Sequence, residues 1–161
     1  FMRILVFSDT HNSTDDCIIL INKFKKFGLD MVLHAGDCNE DCEDLTYIFP
    51  DVPIYYVQGN NNFSKSVPYE LEIDAGGHKI FLTHGHNYRV KAEMEREYET
   101  LAEKAKSIGA EIAVFGHTHI PFCAISHGIM MLNPGSIKYG STYGIIEIEN
   151  GKLKADVINY R

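Results

Sequence analysis

The chain has 161 residues, 45% of them hydrophobic and 23% charged, which suits one globular domain with a sizeable buried core. Its formal net charge of −7 argues against a nucleic-acid groove, which normally presents a basic patch. No apolar run is long enough to span a bilayer and no signal-peptide pattern is present, so a cytoplasmic protein without a membrane partner is expected.

In chain order, Phe1 ahead of Met2 reads as an addition before the native start, and one domain is expected over 2–161. Residues 3–8 form a continuous apolar run, the pattern of a strand buried on both faces. A helix then starts at Ser13 or Thr14, with Cys17, Leu20, Ile21, Phe24 and Phe27 on one face. Asp15 and Asp16 in its first turn and Lys23, Lys25 and Lys26 near its last match the helix dipole, and Gly28 stops it. A strand at 31–34 completes a βαβ unit, so these two strands should be parallel. A short helix over 42–49 ends at Pro50, and strands follow at 54–57 and 80–82. The spacing of Val90, Met94, Tyr98, Leu101, Ala105 and Ile108 predicts one long helix over 90–108, closed by Gly109. Beyond a strand at 111–115 come two hairpins, 122–126 with 129–132 and 143–149 with 152–158. The second turns at Asn150-Gly151, a strong hairpin signal. A mostly parallel first half and an antiparallel second half give an α/β class, with two packed mixed sheets flanked by helices.

The strand ends carry the chemistry. Ile4-Leu5-Val6-Phe7 runs into Ser8-Asp9-Thr10-His11, and Met31-Val32-Leu33 into His34-Ala35-Gly36-Asp37. Ile54-Tyr55-Tyr56-Val57 runs into Gln58-Gly59-Asn60-Asn61-Asn62, and Ile80-Phe81-Leu82 into Thr83-His84-Gly85-His86. Val114-Phe115 runs into Gly116-His117-Thr118-His119. Ligand sites in open α/β sheets lie outside the carboxyl ends of the strands, and imidazole is the commonest side-chain metal ligand. Five such ends bearing Asp, Asn or His beside small residues point to a metal centre with room for two ions. Imidazole and oxygen donors without thiolate favour Mn, Fe, Zn, Ni or Co over copper or an iron–sulfur cluster. Cys17, Cys38, Cys42 and Cys123 form no C-x-x-C pair and read as free thiols. Cys38 and Cys42 lack the second pair that a zinc site would need. No G-x-S-x-G and no Walker A loop is present, which removes serine-hydrolase and P-loop readings.

The order D-x-H, G-D, G-N, H-x-H, G-H-x-H resembles the calcineurin-like metallophosphoesterase superfamily, and in size its small bacterial and archaeal phosphodiesterase branch. The resemblance covers essentially the whole chain. It implies an α/β/β/α sandwich and a division of ligands. Asp9, His11 and His119 would bind one divalent metal, Asn60, His84 and His117 a second, and Asp37 would bridge the two. It also implies hydrolysis of a small phosphodiester by hydroxide held between the metals, manganese being the first expectation for both. A bridging carboxylate has two oxygens and suits the ~3.5–4 Å separation of two-metal hydrolases. Two dications against two carboxylates leave the centre net positive, so a small phosphoester is attracted despite the acidic surface.

The chain departs from the family after Gly59-Asn60. Many members place a histidine and then an acid there, whereas this chain has Asn61 and Asn62. General-acid help worth typically ~10²–10⁴-fold is then missing, unless His86 substitutes as phosphate contact or proton donor. His34 is assigned to structure, His78 and His127 to solvated turns, and Tyr139 to the wall of the site. A phosphomonoesterase is the runner-up. A non-catalytic binding module, like the retromer subunit that resembles this family but has a degraded metal site, is a third reading. Physiological substrate and oligomeric state stay open, a homo-oligomer included.

Overall fold

A computed structural model describes every residue of the chain except Asn62. Strand β1 (Met2–Phe7) carries its apolar residues to two opposite sides, as the period of a strand demands. Ile4 and Val6 enter one core cluster, Leu5 and Phe7 another, and all four are fully buried. The cluster holding Leu5 and Phe7 is closed by helix α1 (Thr14–Lys25), through Cys17, Leu20 and Ile21, and by helix α2 (Asn39–Ile48), through Leu45. Strand β2 (Met31–His34) lies parallel to β1, and β3 (Ile54–Tyr56) parallel to β2. The βαβ connection read from the sequence is present.

The second half builds another sheet. Strands β4 (Glu70–Ala75) and β5 (His78–Thr83) are antiparallel, β6 (Ile112–Val114) runs parallel to β5, and β7 (Phe122–Ser126) and β8 (Ile129–Asn133) form a hairpin. Strand β8 is also parallel to β6, so the second half is not the antiparallel meander that the sequence suggested. The last hairpin, β9 (Thr142–Glu149) and β10 (Lys152–Asn159), returns to the first sheet and pairs antiparallel with β1. The orders are β10-β9-β1-β2-β3 and β4-β5-β6-β8-β7. Ile4, Val6 and Leu33 of the first sheet share one core with Ile80, Leu82, Ile112 and Val114 of the second. Helix α3 (Glu99–Ser107) covers the outer side of the second sheet through Leu101, Ala102 and Ala105 against Phe81, Ala113 and Phe115. The layers are α/β/β/α, as expected.

Three local readings are corrected. Strand β4 had not been recognised, because Glu70-Leu71-Glu72-Ile73-Asp74-Ala75 buries only Ile73 and Ala75. Helix α1 ends at Lys25 and leaves Phe27 68% exposed, so the apolar face stops a turn early. The long helix over 90–108 is instead a short 3₁₀ turn at Met94–Arg96 followed by α3, with Glu97 and Tyr98 in left-handed conformation between them. The cause is Glu93. Its carboxylate is buried and accepts hydrogen bonds from Thr100 N (2.8 Å) and Thr100 Oγ1 (2.6 Å), so it caps α3 from a separate turn. Met94, expected on the apolar face, is 40% exposed.

Glu93→Ala removes that cap and should lower the unfolding free energy by about 1–2 kcal/mol in a urea titration. An unchanged midpoint would show that α3 is held by packing alone.

Candidate metal centre

The sequence-selected turns meet at one edge of the two sheets. They are conformationally costly: Asp9, His11, Asn12, Asp37, Cys38, His117 and His119 all have positive φ without being glycine. Such conformations persist only where the surroundings over-determine them. Asp9 Oδ2 accepts from Ser8 Oγ (2.6 Å) and His117 N (3.2 Å), which ties the β1 turn to the β6 turn. Ser136 Oγ donates to the Asp9 carbonyl oxygen at 2.9 Å. Two glycines make room. A Cβ at Gly59 would stand 1.9 Å from Asp37 Oδ1, and one at Gly116 would stand 2.0 Å from Ser8 Oγ.

Two groups of potential ligand atoms result. Asp9, His11 and His119 form one, and Asp9, Asp37 and His84 the other, with the atoms of each group within 4.8 Å of one another. His119 Nε2 is 3.3 Å and His11 Nε2 4.0 Å from Asp9 Oδ1, while His84 Nε2 is 3.5 Å from Asp37 Oδ2. The His84 Nδ1 proton goes to the Ala35 carbonyl oxygen at 2.8 Å. Its Nε2 lone pair is left facing His117 Nδ1 at 3.1 Å, so His117 belongs to the same cluster. A ligating histidine anchored in this way through its other nitrogen is the usual outer-sphere arrangement.

The residues fit a divalent cation on two counts. Asp9 Oδ1, Asp37 Oδ1 and His11 Nε2 are buried without a hydrogen-bond partner among the described residues, although such atoms are costly to leave unpaired. Burial also pushes His84 and His117 down to about 4, so both rings are neutral, the form that ligates. Burial likewise lowers His119 and His86. Asp9 is pushed up to about 7, first by burial and then by Asp37, against the hydrogen bond from Ser8. Burial and the neighbouring Asp37 both disfavour the charged form of Asp9, and a dication there would reverse that preference.

The remaining candidates divide. Asn60 follows Gly59 directly and is exposed, and it lies outside both ligand groups, whose donors are acidic residues and histidines. Asn61 donates through Nδ2 to Asp37 Oδ2 at 3.1 Å, so it engages a candidate ligand. Asn62 lies outside the described residues. His86 lies with its ring centroid 5.6 Å from that of His84 and 6.1 Å from that of His117, and its Nδ1 is buried and unpartnered among the described residues. Tyr139 stacks on His119 at 5.5 Å, and Lys138 Nζ donates to the His11 carbonyl oxygen at 3.0 Å. A cleft of about 360 Å³ opens between His11 and Asp37, rimmed by Asn12, Asn61, Lys138 and Tyr139. Sequence reasoning missed Ser8 and Ser136, whose only signal was a small polar residue beside a ligand turn. His34 is buried within the hydrogen-bonded frame, in keeping with a structural assignment. His78 differs from its assignment, since it opens β5, is half-buried and pairs with Glu111 at 2.5 Å, whereas His127 is exposed in the β7–β8 turn as expected, its Nε2 near the Arg96 carbonyl oxygen.

Residues 2–151 match the calcineurin-like phosphoesterase superfamily domain. The chain belongs to that superfamily. The probable metallophosphoesterase YsnB of Bacillus subtilis is 32% identical over 155 residues, covering 92% of this chain and 86% of that protein. Among solved structures, a Streptococcus pneumoniae protein described as a predicted phosphoesterase superposes with a TM-score of 0.79 at 27% identity, covering 98% and 89% of the two chains. At 22% identity the same fold recurs in an archaeal phosphodiesterase (TM-score 0.71, 98% and 100% covered). It recurs equally in Vps29 of Entamoeba histolytica complexed with zinc (TM-score 0.74, 22% identity, 99% and 100% covered). The superfamily implies divalent metal ions and a small-molecule phosphoester substrate. No helix among the described residues is long and apolar enough to cross a membrane.

Gly59→Ala would set its Cβ against the Asp37 carboxylate and, at 2.8 Å, the Asp37 backbone nitrogen, so it should displace the Asp37 turn and abolish tight metal binding, while far-ultraviolet circular dichroism shows the sheets and helices retained. Unchanged metal affinity would mean that Asp37 is not held where the structure puts it.

Proposed function

We propose that the chain is a dinuclear metal-dependent phosphodiesterase acting on small diesters. The observation that carries this reading is the pair of buried carboxylates, Asp9 and Asp37, each with one oxygen unpartnered among the described residues, facing His11, His84 and His119. Asp9, His11 and His119 would hold one ion, and His84, His117 and Asn60 the other, with Asp37 between them. Manganese is the first candidate for both. Bound ions supply an activated water and neutralise the non-bridging phosphate oxygens.

The protein's own groups do the rest. The His84 ring is locked by Ala35, and Asp37 is oriented by the Asn61 amide. The cleft beside His11 and Asp37 receives the ester, and its amide and hydroxyl rim suits a polar arm. Lys138 places a cation at that rim, which favours an anionic ester. His86, with a buried and unpartnered Nδ1 beside His84 and His117, is placed to contact the phosphate. Asn61 cannot supply a proton near neutral pH, so leaving groups should depart without help from that position. A dianionic monoester also resists approach of an anionic nucleophile more than a monoanionic diester does. The likeness to an archaeal phosphodiesterase supports the same substrate class. The likeness to Vps29, one structure of which holds zinc, keeps a binding-module reading as the competitor, so metal binding alone does not decide between the two and hydrolysis does.

A panel of aryl phosphodiesters and matched monoesters, hydrolysed by Mn-reconstituted protein, tests the reading. Diesters should be preferred, and rates should fall as leaving-group pKa rises. Hydrolysis of no phosphoester by fully metallated protein would favour the binding module instead. In the same assay Asp37→Asn should lose nearly all activity together with its metal, whereas His86→Ala should lose about 10–100-fold, the range for groups outside the ligand set. Equal losses with metal intact in both variants would assign primary chemistry to His86.

A further inference from the structure

The turn that carries Asp9 and His11 holds three non-glycine residues in left-handed conformation. Asp9 (φ 53°), His11 (φ 43°) and Asn12 (φ 70°) are left-handed within four residues. No glycine relieves it, so something outside the turn must hold it. The buried carboxylate of Asp41, in the first turn of α2, reaches across to it. Asp41 Oδ2 accepts from Thr10 Oγ1 at 2.6 Å and from Asn12 N at 2.8 Å. These two donors flank His11 in the chain, so a single oxygen clamps the turn on both sides of a candidate ligand.

The chain of hydrogen bonds continues inward, and its direction is fixed. Gly36 N donates to His34 Nδ1 at 3.1 Å, so the ring proton of neutral His34 sits on Nε2. That nitrogen lies 3.1 Å from Thr10 Oγ1 and donates to it. Thr10 has one hydroxyl proton, and it goes to Asp41. Thr10, His34 and Asp41 are 0%, 1% and 3% exposed, so water does not substitute for any member. The relay joins the exit of β1, the exit of β2 and the start of α2. Asp9 and His11 lie on the first of these segments, and Asp37 follows His34 on the second.

We propose that Asp41, Thr10 and His34 form a positioning relay that holds the Asp9–His11 turn in its metal-ligating conformation. The relay sets the affinity of the ion held by Asp9, His11 and His119. It rests on the metal-site reading above, and it adds three residues that stand in neither ligand group.

The test is Mn²⁺ binding to metal-stripped full-length chain, followed by the electron paramagnetic resonance signal of free Mn²⁺, with thermal melts of the same metal-free samples. Thr10→Val exchanges the hydroxyl for a methyl of similar size and should weaken Mn²⁺ binding about 10–100-fold. Thr10→Ser retains the hydroxyl and should recover most of that affinity. A purely structural role for Thr10 would lower the melting temperature of Thr10→Val and leave the Mn²⁺ affinity of the folded protein unchanged, and that result overturns the proposal. If Thr10→Val does not fold, Asp41→Asn, which keeps the shape and one acceptor, takes its place with the same expected direction and the same overturning result. A wild-type chain that binds no Mn²⁺ overturns the metal-site reading and the relay with it, whereas binding by wild type and variant alike overturns the relay alone.

Discussion

Asp9 and Asp37 are buried in one cluster, and each keeps a carboxylate oxygen without a donor among the described residues. Desolvating an anion costs several kcal/mol unless something compensates it. Within the protein the compensation is partial: Ser8 and the His117 amide serve Asp9, and Asn61 serves Asp37. The neighbouring His84 and His117 rings are held neutral by burial, the form that offers a lone pair to a cation. Such a cluster suits a bound divalent cation, as the superfamily implies. The glycines at 59 and 116 follow from it, because the Asp37 carboxylate and the Ser8 hydroxyl that serves Asp9 occupy the space that a side chain would need there.

The rest of the fold makes that arrangement rigid. Four parallel pairings, β1 with β2, β2 with β3, β5 with β6 and β6 with β8, bring strand exits to the same edge. The core between the sheets is built from β-branched and leucine side chains buried on alternate positions, so the strands cannot slip without exposing them. Ligands on turns at the ends of such strands inherit the stiffness of the sheets while keeping the irregular backbone that metal geometry requires. The Asp41–Thr10–His34 relay belongs to the same logic, since it pins a left-handed turn to a helix and to a neighbouring strand.

Much of this was legible in the sequence because the site lies where strand pattern breaks. The runs at 4–7, 31–33, 80–82 and 112–114 are apolar and unambiguous, and the histidines and aspartates after them stand out against glycine. The parts that were not legible have specific causes. Strand β4 is half acidic, so alternation is carried by Ile73 and Ala75 alone. The segment 90–108 keeps helical spacing in its apolar residues although Glu93 and the left-handed Glu97 and Tyr98 interrupt the helix, and a cap supplied from seven residues away leaves no local signature. Parallel pairing of β6 with β8 depends on the route of the intervening chain, which periodicity does not encode. Asp41 and Thr10 carried no signal of their own in the sequence. Their connection spans 31 residues of sequence and exists only in the fold.

The central claim is that Asp37 stands between two cations. Anomalous diffraction from crystals grown with Mn²⁺ measures this most directly. The account predicts two peaks about 3.5–4 Å apart, one beside Asp9, His11 and His119 and one beside His84 and His117, with an Asp37 oxygen reaching each. A single peak, or two peaks with Asp37 bound to neither, would contradict it.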